Sequence, residues 1–272
     1  MTRLSTTGQL AEHLSDGCKL ALPVDYAGVS MAMIKPILDC GVRDLDIVCV
    51  PTGGLQPDIL IGAGRVRSIE TSAMTLGEAG GAPCFGRAVK SGAIKVVDAT
   101  CPAIHAGLMA AQKGIPFQPI RGLIGTDVLK NRPDWRVIQN PMSETADEIV
   151  IVPAILPDVA LFHAPLADTQ GNVWIGRRKE LAAMAYASRC TIVTAEEIVD
   201  GNLFDDENIA AGIIPSLYIN AVAEARFGAR PYGLWGEYST QTQEILNYAA
   251  QAKAEEGFAA YLAETYGAEV LK

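Results

Sequence analysis

Short apolar runs alternate with amphipathic stretches through the first half of the chain. The apolar runs have the length of buried strands, and the stretches between them carry apolar residues at helical spacing. Gly41 and Gly114 stand where glycine ends a helix. The pattern predicts strands over 19–24, 46–50, 66–69 and 93–97, and helices over 30–39, 57–64, 84–90 and 102–113. Strands separated by helices of this length predict an open, mostly parallel α/β sheet with helices on both faces.

The second half begins with apolar runs that follow one another closely. They cover 148–152, 158–162 and 172–175. The turn sequence Asp168–Gly171 precedes the third run. This spacing predicts a local β meander. A helix over 180–188 and a strand over 190–194 are expected to follow it.

The polar stretch 135–147 lacks periodicity and is expected to be a surface excursion. Residues 240–264 have the amphipathic spacing of a helix. We find neither an internal repeat nor a low-complexity linker. The chain is therefore expected to form one α/β domain over residues 1–272, with 240–272 as a C-terminal helical extension.

Composition narrows the function classes. The 272 residues are 49% hydrophobic and 19% charged, which argues against disorder. The formal net charge is −9, from 22 Lys and Arg against 31 Asp and Glu. Nucleic acid and anionic membranes bind clustered positive charge, so neither is expected as a partner. An all-histidine zinc site would need all three histidines, and we expect no metal.

The six cysteines are scattered, and no Cys-x-x-Cys pair occurs among them. Such thiols are typical of small buried residues in a reducing compartment, not of disulfides or a zinc site. The first residues lack the charged head and apolar run of a secretory signal. No apolar stretch approaches the roughly 20 residues of a membrane span. A cytoplasmic protein is the expectation.

Two glycine-rich loops follow predicted strands, at the end of the sheet where ligands bind in this fold class. The first contains Gly53 and Gly54, and the second contains Glu78, Gly80 and Gly81. Glycine lets backbone amides approach a ligand closely, so these residues are candidates for substrate binding. The alternative is that they form tight turns. Neither loop matches the dinucleotide fingerprint or the P-loop, and no Gly-x-Ser-x-Gly elbow is present.

The candidate catalytic residues are Asp98 and His105. Asp98 ends the predicted strand 93–97, where an acid is well placed as a general base, and the alternative is that Asp98 or Thr100 caps the next helix. His105 lies four residues after Cys101, on the same helical face. Cys84 and Cys101 are candidate nucleophiles near helix starts, although buried, inert thiols are the simpler interpretation.

Four further charged residues or clusters stand out in the sequence. Glu70 lies inside an apolar strand. The acidic clusters Glu196–Glu197 and Asp205–Glu207 are interpreted as solvated surface charge. The basic triplet Arg177–Lys179 could hold a phosphate, but an exposed helix start explains it equally well.

An ordered series of segments resembles the alpha chain, or A chain, of glutaconate-type, class I coenzyme A transferases. The order and spacing hold from about residue 16 to about residue 240. The segments that carry the resemblance are 41–45, 58–66, 82–88, 106–111, 114–117, 125–127, 157–164, 167–168, 171–173, 193–199 and 228–231.

The resemblance implies an open α/β fold that pairs with a similarly folded B subunit. In this family the B subunit supplies a glutamate, which attacks an acyl-CoA thioester and then carries CoA as a glutamyl thioester. This chain would form pocket walls, and Phe85, Arg121 and Thr126 join the glycine-loop residues as substrate-binding candidates. Coenzyme A thioester would be a substrate, with no bound cofactor. Because CoA is anionic, a chain of net charge −9 would leave most of its binding to the partner.

Two alternatives stay open. A related branch hydrolyses a carbon–carbon bond in a cyclic CoA thioester during steroid-ring degradation, and its important acid lies near the position of Asp98. This chain has aspartate there, where that branch has glutamate, and residues 23–28 stand where Gly-Gly-Phe-Gly is typical of the family. The other alternative is a non-catalytic subunit that binds CoA esters and completes its partner.

Overall fold

A computed structural model describes residues 3–271 and contains a large, mostly parallel sheet beside a small antiparallel one. The strands are β1 (Arg3–Ser5), β2 (Lys19–Pro23), β3 (Leu45–Val50), β4 (Val66–Thr71), β5 (Lys95–Asp98), β6 (Phe117–Ile120), β7 (Arg136–Gln139), β8 (Glu148–Pro153), β9 (Val159–Asp168), β10 (Val173–Trp174), β11 (Cys190–Val199), β12 (Ile213–Ile214) and β13 (Ala221–Glu224).

The α-helices lie between these strands and after the last one. They are α1 (Thr7–Ala11), α2 (Ile34–Asp39), α3 (Leu55–Gly62), α4 (Pro83–Ser91), α5 (Cys101–Gln112), α6 (Val128–Asn131), α7 (Lys179–Ala187), α8 (Thr242–Gln251) and α9 (Glu255–Tyr266). The strands and helices predicted for the first half are confirmed to within a few residues, although a short 3₁₀ turn, Met31–Met33, precedes α2.

The large sheet has the order β1-β13-β11-β9-β2-β3-β4-β5, and all pairs along this path are parallel. Side chains of β2 alternate between its faces, so Leu20 and Leu22 pack in one core cluster and Ala21 packs in another. Helices α1, α2 and α3 cover the first face, and α5 and α7 cover the second. The predicted open parallel sheet with helices on both faces is therefore confirmed.

The predicted β meander is present only in part. The chain of β9 folds back into β10, which pairs with it in antiparallel register at Ala167 and Val173. Strand β8, however, is not part of the large sheet and pairs instead with β6 and β7. The reason is packing, because Val150 and Val152 of β8 are buried against Trp135 and α5. The stretch 135–147 is largely exposed, as predicted, but it includes strand β7.

The C-terminal extension is two helices, α8 and α9, where the sequence predicts one. Tyr248 and Phe258 of these helices are fully buried in the core cluster of the first face. The Tyr248 hydroxyl donates a 2.7 Å hydrogen bond to Asp58 Oδ2, and the N–H of Phe85 donates to Asp58 Oδ1 at 2.7 Å. One buried carboxylate in α3 thus joins the start of α4 to the C-terminal helices.

We predict that Tyr248→Phe lowers the free energy of unfolding by about 1–3 kcal/mol, because it removes a hydrogen-bond donor from a buried oxygen of Asp58. Urea denaturation measures this change. Tyr218→Phe is the matched control, because that side chain is 41% exposed and should change the same free energy by less than about 0.5 kcal/mol. Equal stability of Tyr248→Phe and the unmodified protein would contradict the role assigned to Asp58.

Candidate functional site

The carboxyl ends of β2, β3, β4 and β5 lie side by side at one edge of the large sheet. The segments that leave these ends are 24–28, 51–54, 72–81 and 99–100, and they form what we call the carboxyl edge. Open parallel sheets bind ligands outside the carboxyl ends of their strands, so the carboxyl edge is the candidate site.

Gly53 and Gly54 are buried at the start of α3. A Cβ on Gly53 would lie 2.2 Å from Met74 Sδ, and one on Gly54 would lie 1.7 Å from Asp25 Oδ2. Both positions therefore require glycine because neighbouring groups approach closely. The tight-turn alternative explains this requirement, and a contact of their amides with substrate stays a prediction.

Sequence reasoning missed the group beside Gly54, the carboxylate of Asp25. Asp25 is 8% exposed, its Oδ2 accepts a long 3.4 Å hydrogen bond from the N–H of Leu55, and its Oδ1 has no hydrogen-bond partner within residues 3–271. Burial raises the pKa of Asp25 to about 6, despite opposing interactions with Tyr232 and the Leu55 N–H. A carboxyl group that changes charge near neutral pH thus lies under the carboxyl edge.

The second glycine loop is exposed. Gly77 and Gly80 have positive φ, at 63° and 95°, and the N–H of Leu76 donates to Gly80 O at 2.8 Å to close the loop. Glu78, Gly80 and Gly81 are all exposed at this loop. Of the predicted substrate-binding residues, these three are open to a ligand.

Asp98 ends β5 and is half-buried. Asn131 Nδ2 donates a 2.6 Å hydrogen bond to its Oδ2, and Arg132 Nη1 donates at 2.8 Å to its backbone carbonyl. Arg132 Nη1 also lies 2.7 Å from Glu70 Oε1, forming a buried ion pair. The residue at the N-cap of α5 is Thr100, which makes no side-chain capping bond. Asp98 is therefore oriented by the C-terminal end of α6, where Asn131 and Arg132 lie, and does not serve as a helix cap.

His105 and the two cysteines are in different environments. Burial lowers the pKa of His105, an effect that Glu180 of α7 partly offsets. Cys101 is exposed, with its Sγ 3.1 Å from Ser72 Oγ, whereas Cys84 is buried and burial raises its pKa to about 12. Within the described residues, His105 makes no hydrogen bond to Asp98 or Cys101, so the structure does not join these groups into a dyad.

The other three predicted substrate-binding residues lie outside the carboxyl edge and make local contacts. Phe85 is half-buried against the core near Asp58. Arg121 forms an ion pair with Asp147, and Thr126 Oγ1 donates to Leu123 O at 2.7 Å. A role for them in substrate binding stays a prediction.

Glu196 corrects a sequence prediction. It was expected to be solvated, but it is 8% exposed, and only its neighbour Glu197 is exposed. The carboxylate accepts from the N–H groups of Phe227 and Gly228 at 2.6 and 3.0 Å. Tyr238 Oη donates to it at 2.5 Å, and His163 Nε2 lies 2.7 Å from it. Residues 191–196 of β11 are all buried, so alternation along the strand does not separate Glu196 from Glu197 in the sequence.

Burial alone would raise the pKa of Glu196, but the hydrogen bonds outweigh it and lower the pKa to about 2. The carboxylate therefore stays ionised and fixes the loop that carries Phe227. Phe227 itself is 51% exposed and has a left-handed φ of 57°.

Within residues 3–271, no group of three or more His, Cys, Asp or Glu side chains is arranged to hold a metal ion. No helix of the same residues is both long and apolar enough to cross a membrane.

Asp25→Asn should remove a pH-dependent loss of stability. The folded state favours the protonated carboxyl. The stabilising contribution of Asp25 to the free energy of unfolding is therefore complete below pH 4 and is lost as pH rises through about 6. The roughly two-unit shift corresponds to about 3 kcal/mol. We expect Asp25→Asn to gain up to that much over the unmodified protein between pH 4 and pH 7, in urea denaturation.

Asp205→Asn, at an exposed position, is the control and should show no such trend. A pH-independent difference between Asp25→Asn and the unmodified protein would contradict the assignment.

The chain is similar to proteins of one family along most of its length. The family model for coenzyme A transferase matches residues 4–225. The A chain of the 3-oxoadipate CoA-transferase of Pseudomonas knackmussii is 31% identical, over 97% of this chain and 93% of that protein. The crystal structure of glutaconate coenzyme A-transferase from Acidaminococcus fermentans superposes with a TM-score of 0.89 at 26% identity, over 98% of this chain and 89% of the other.

A protein of Archaeoglobus fulgidus is also 31% identical, over 95% of this chain, but the chain spans only 58% of its length. The matches agree with the fold and with the resemblance found in the sequence. The chain belongs to the coenzyme A transferase family.

Proposed function

We propose that this chain is the alpha-type (A) chain of a heteromeric CoA transferase, which moves CoA between an acyl-CoA and a carboxylic acid. The nucleophilic glutamate would come from the partner B subunit. The match to the corresponding chain of a 3-oxoadipate CoA-transferase, over nearly the full length of both proteins, supports this assignment.

The proposal depends on the hydrogen bonding and exposure of three glutamates, Glu70, Glu78 and Glu196. A nucleophilic carboxylate must be free of other partners and also held in position to attack a thioester carbonyl. Glu196 accepts hydrogen bonds on both oxygens and is buried, and Glu70 is paired with Arg132. Glu78 is exposed, and within residues 3–271 no hydrogen bond or ion pair orients it. A partner that brings its own glutamate to the carboxyl edge completes the site.

The proposed reaction has two exchanges at that glutamate. Its carboxylate attacks the acyl-CoA carbonyl, CoA leaves as a thiolate, and a mixed anhydride forms. The thiolate then attacks the glutamyl carbonyl, releasing the first acid as a carboxylate and leaving a glutamyl-CoA thioester. The second acid reverses these steps and departs as the new acyl-CoA. This chain would contribute pocket walls, acyl selectivity and the exposed glycine loop that carries Gly80 and Gly81.

A second candidate function is hydrolysis of a ring carbon–carbon bond in a cyclic CoA thioester, with Asp98 as general base. The observation that favours it is the orientation of the Asp98 carboxylate by Asn131, at the end of β5. A general base held in position contributes about 10²–10⁴-fold to rate. The two functions therefore make different demands on Asp98 and on the acceptor acid.

Trapping the intermediate tests the transferase proposal. The chain is co-expressed with its B subunit, incubated with short monocarboxylic and dicarboxylic acyl-CoA thioesters, and treated with borohydride or hydroxylamine. We expect mass spectrometry to find the modified glutamate in the partner and none in this chain. A modified residue in this chain, or full activity of this chain alone, would overturn the assignment of roles.

Asp98→Asn separates the two functions. Under the transferase proposal it keeps CoA exchange within about 10-fold, because the nucleophile is elsewhere. Under the hydrolase alternative, the unmodified enzyme forms product without an acceptor acid, and Asp98→Asn lowers the rate of that reaction by at least about 100-fold. Glu78→Gln is the control for the exposed loop glutamate and should leave the trapped partner residue unchanged. Product formation that needs neither an acceptor acid nor a modified glutamate would contradict the transferase proposal.

A further inference from the structure

The basic triplet Arg177–Lys179 divides into three different environments. Arg177 is exposed, and Lys179 is exposed with its Nζ donating to Ala211 O. The Arg178 side chain, in contrast, is only 19% exposed. The surface explanation for the triplet therefore holds for its outer members and fails for Arg178.

Aromatic rings surround the Arg178 guanidinium. Its Cζ lies 5.3 Å from the ring centroid of Tyr26 and 5.7 Å from that of Trp235, within cation–π distance of both. Gly176, with a left-handed φ of 55°, lets Trp235 lie this close, because a Cβ there would be 2.5 Å from Trp235 Cζ2. The position of the guanidinium is thus fixed by flat apolar surfaces.

No anion of the described chain neutralises this arginine at hydrogen-bond distance. Its Nη1 forms only a long ion pair with Glu180 Oε1, at 3.9 Å, beyond hydrogen-bond distance. Its Nε is buried and has no hydrogen-bond partner within residues 3–271. Removing a charged group from water without a hydrogen-bonded partner is unfavourable, so the arrangement points to an anion that arrives from outside.

Arg178 lies at the carboxyl edge. Tyr26 lies three residues after the end of β2 and is 63% exposed. The loop that carries Tyr26 is fixed to β9, because the N–H of His163 donates to Gly28 O at 2.6 Å. The guanidinium beside Tyr26 therefore belongs to the part of the sheet where a parallel fold binds its ligand.

We propose that Arg178 binds a substrate carboxylate remote from the thioester, so that the site selects dicarboxylic over monocarboxylic acids. The planar guanidinium fork matches a carboxylate with two parallel hydrogen bonds. A phosphate group of CoA is the less suitable anion. It carries up to two negative charges, whereas the site offers a single guanidinium whose positive charge is already partly offset by Glu180 at 3.9 Å. This inference rests on the proposed function, since it names the substrate class of that site.

The test compares acids of equal length on the complete enzyme with its B subunit. Succinate, glutarate and adipate are assayed against butyrate, pentanoate and hexanoate as CoA acceptors. Arg178→Gln should lower kcat/KM for the preferred dicarboxylic acid by about 10- to 100-fold, the effect of losing a charged hydrogen bond. The matched monocarboxylic acid should change by less than about 3-fold.

Two variants at the same triplet serve as controls. Arg177→Gln removes an exposed neighbouring charge and should leave both acids unchanged. Arg178→Lys keeps the charge but lacks the fork, and it should recover part of the dicarboxylic preference. Equal losses for both classes of acid in Arg178→Gln would overturn the proposal, as would an unmodified enzyme with no dicarboxylic preference. A raised KM for acyl-CoA alone would assign Arg178 to phosphate binding and also overturn it.

A binding measurement separates this inference from the proposed function. Glutarate is titrated into the same complex while tryptophan fluorescence is followed, because Trp235 lies against Arg178. We expect a saturable signal in the unmodified protein and Arg177→Gln, and its loss in Arg178→Gln. Glutarate binding that needs Arg178, in an enzyme without CoA transfer, would support the inference while the transferase proposal fails. CoA transfer with no glutarate signal in any variant would overturn the inference alone.

Discussion

Parallel pairing of the strands in the large sheet is the constraint on which the rest of the structure depends. Parallel strands need crossover connections, and these place helices over both faces of the sheet. The eight strands in order from β1 to β5 therefore share one direction, and their carboxyl ends meet at one edge. The segments at that edge are connections of different lengths, free to carry polar groups that the buried strands exclude.

Buried carboxylates show how this fold accommodates charge. Asp58 and Glu196 accept several hydrogen bonds each, and Glu70 is paired with Arg132. These contacts join distant parts of the chain, since Asp58 connects α3 to α8 and Glu196 connects β11 to the loop of Phe227. Asp25 lacks this compensation, because one of its oxygens has no partner in the described residues. Burial consequently raises the pKa of Asp25 to about 6.

The sequence is sufficient to predict the parallel sheet, because apolar runs and helical spacing are local signals. It fails for β8, which is an apolar run like its neighbours but pairs with β6 and β7. Nothing within β8 itself distinguishes the two sheets, since the choice depends on packing with Trp135 and α5.

The candidate site divides in the same way. The exposed loop around Glu78 and the strand-end position of Asp98 follow from local turn and strand signals. The environment of Asp25 does not, because Tyr232, more than two hundred residues away in sequence, contributes to it. Arg178 is likewise distinguished from Arg177 only by contacts with Tyr26 and Trp235. Long-range contacts of this kind leave no pattern in a single sequence.

Net charge gives a misleading picture of the site. A chain of −9 should repel an anionic substrate, yet the carboxylates near the carboxyl edge are screened in different ways. Glu70 is neutralised by Arg132, and the charge of Glu196 is spread over donors from two segments. Burial keeps Asp25 partly protonated near its pKa of about 6. Because interactions between exposed charges are screened beyond about 10 Å, the excess acid elsewhere on the surface has little effect here. An anion that reaches the carboxyl edge thus meets the exposed carboxylate of Glu78 at one loop and, beside Tyr26, the guanidinium of Arg178, whose Nε has no hydrogen-bond partner within residues 3–271.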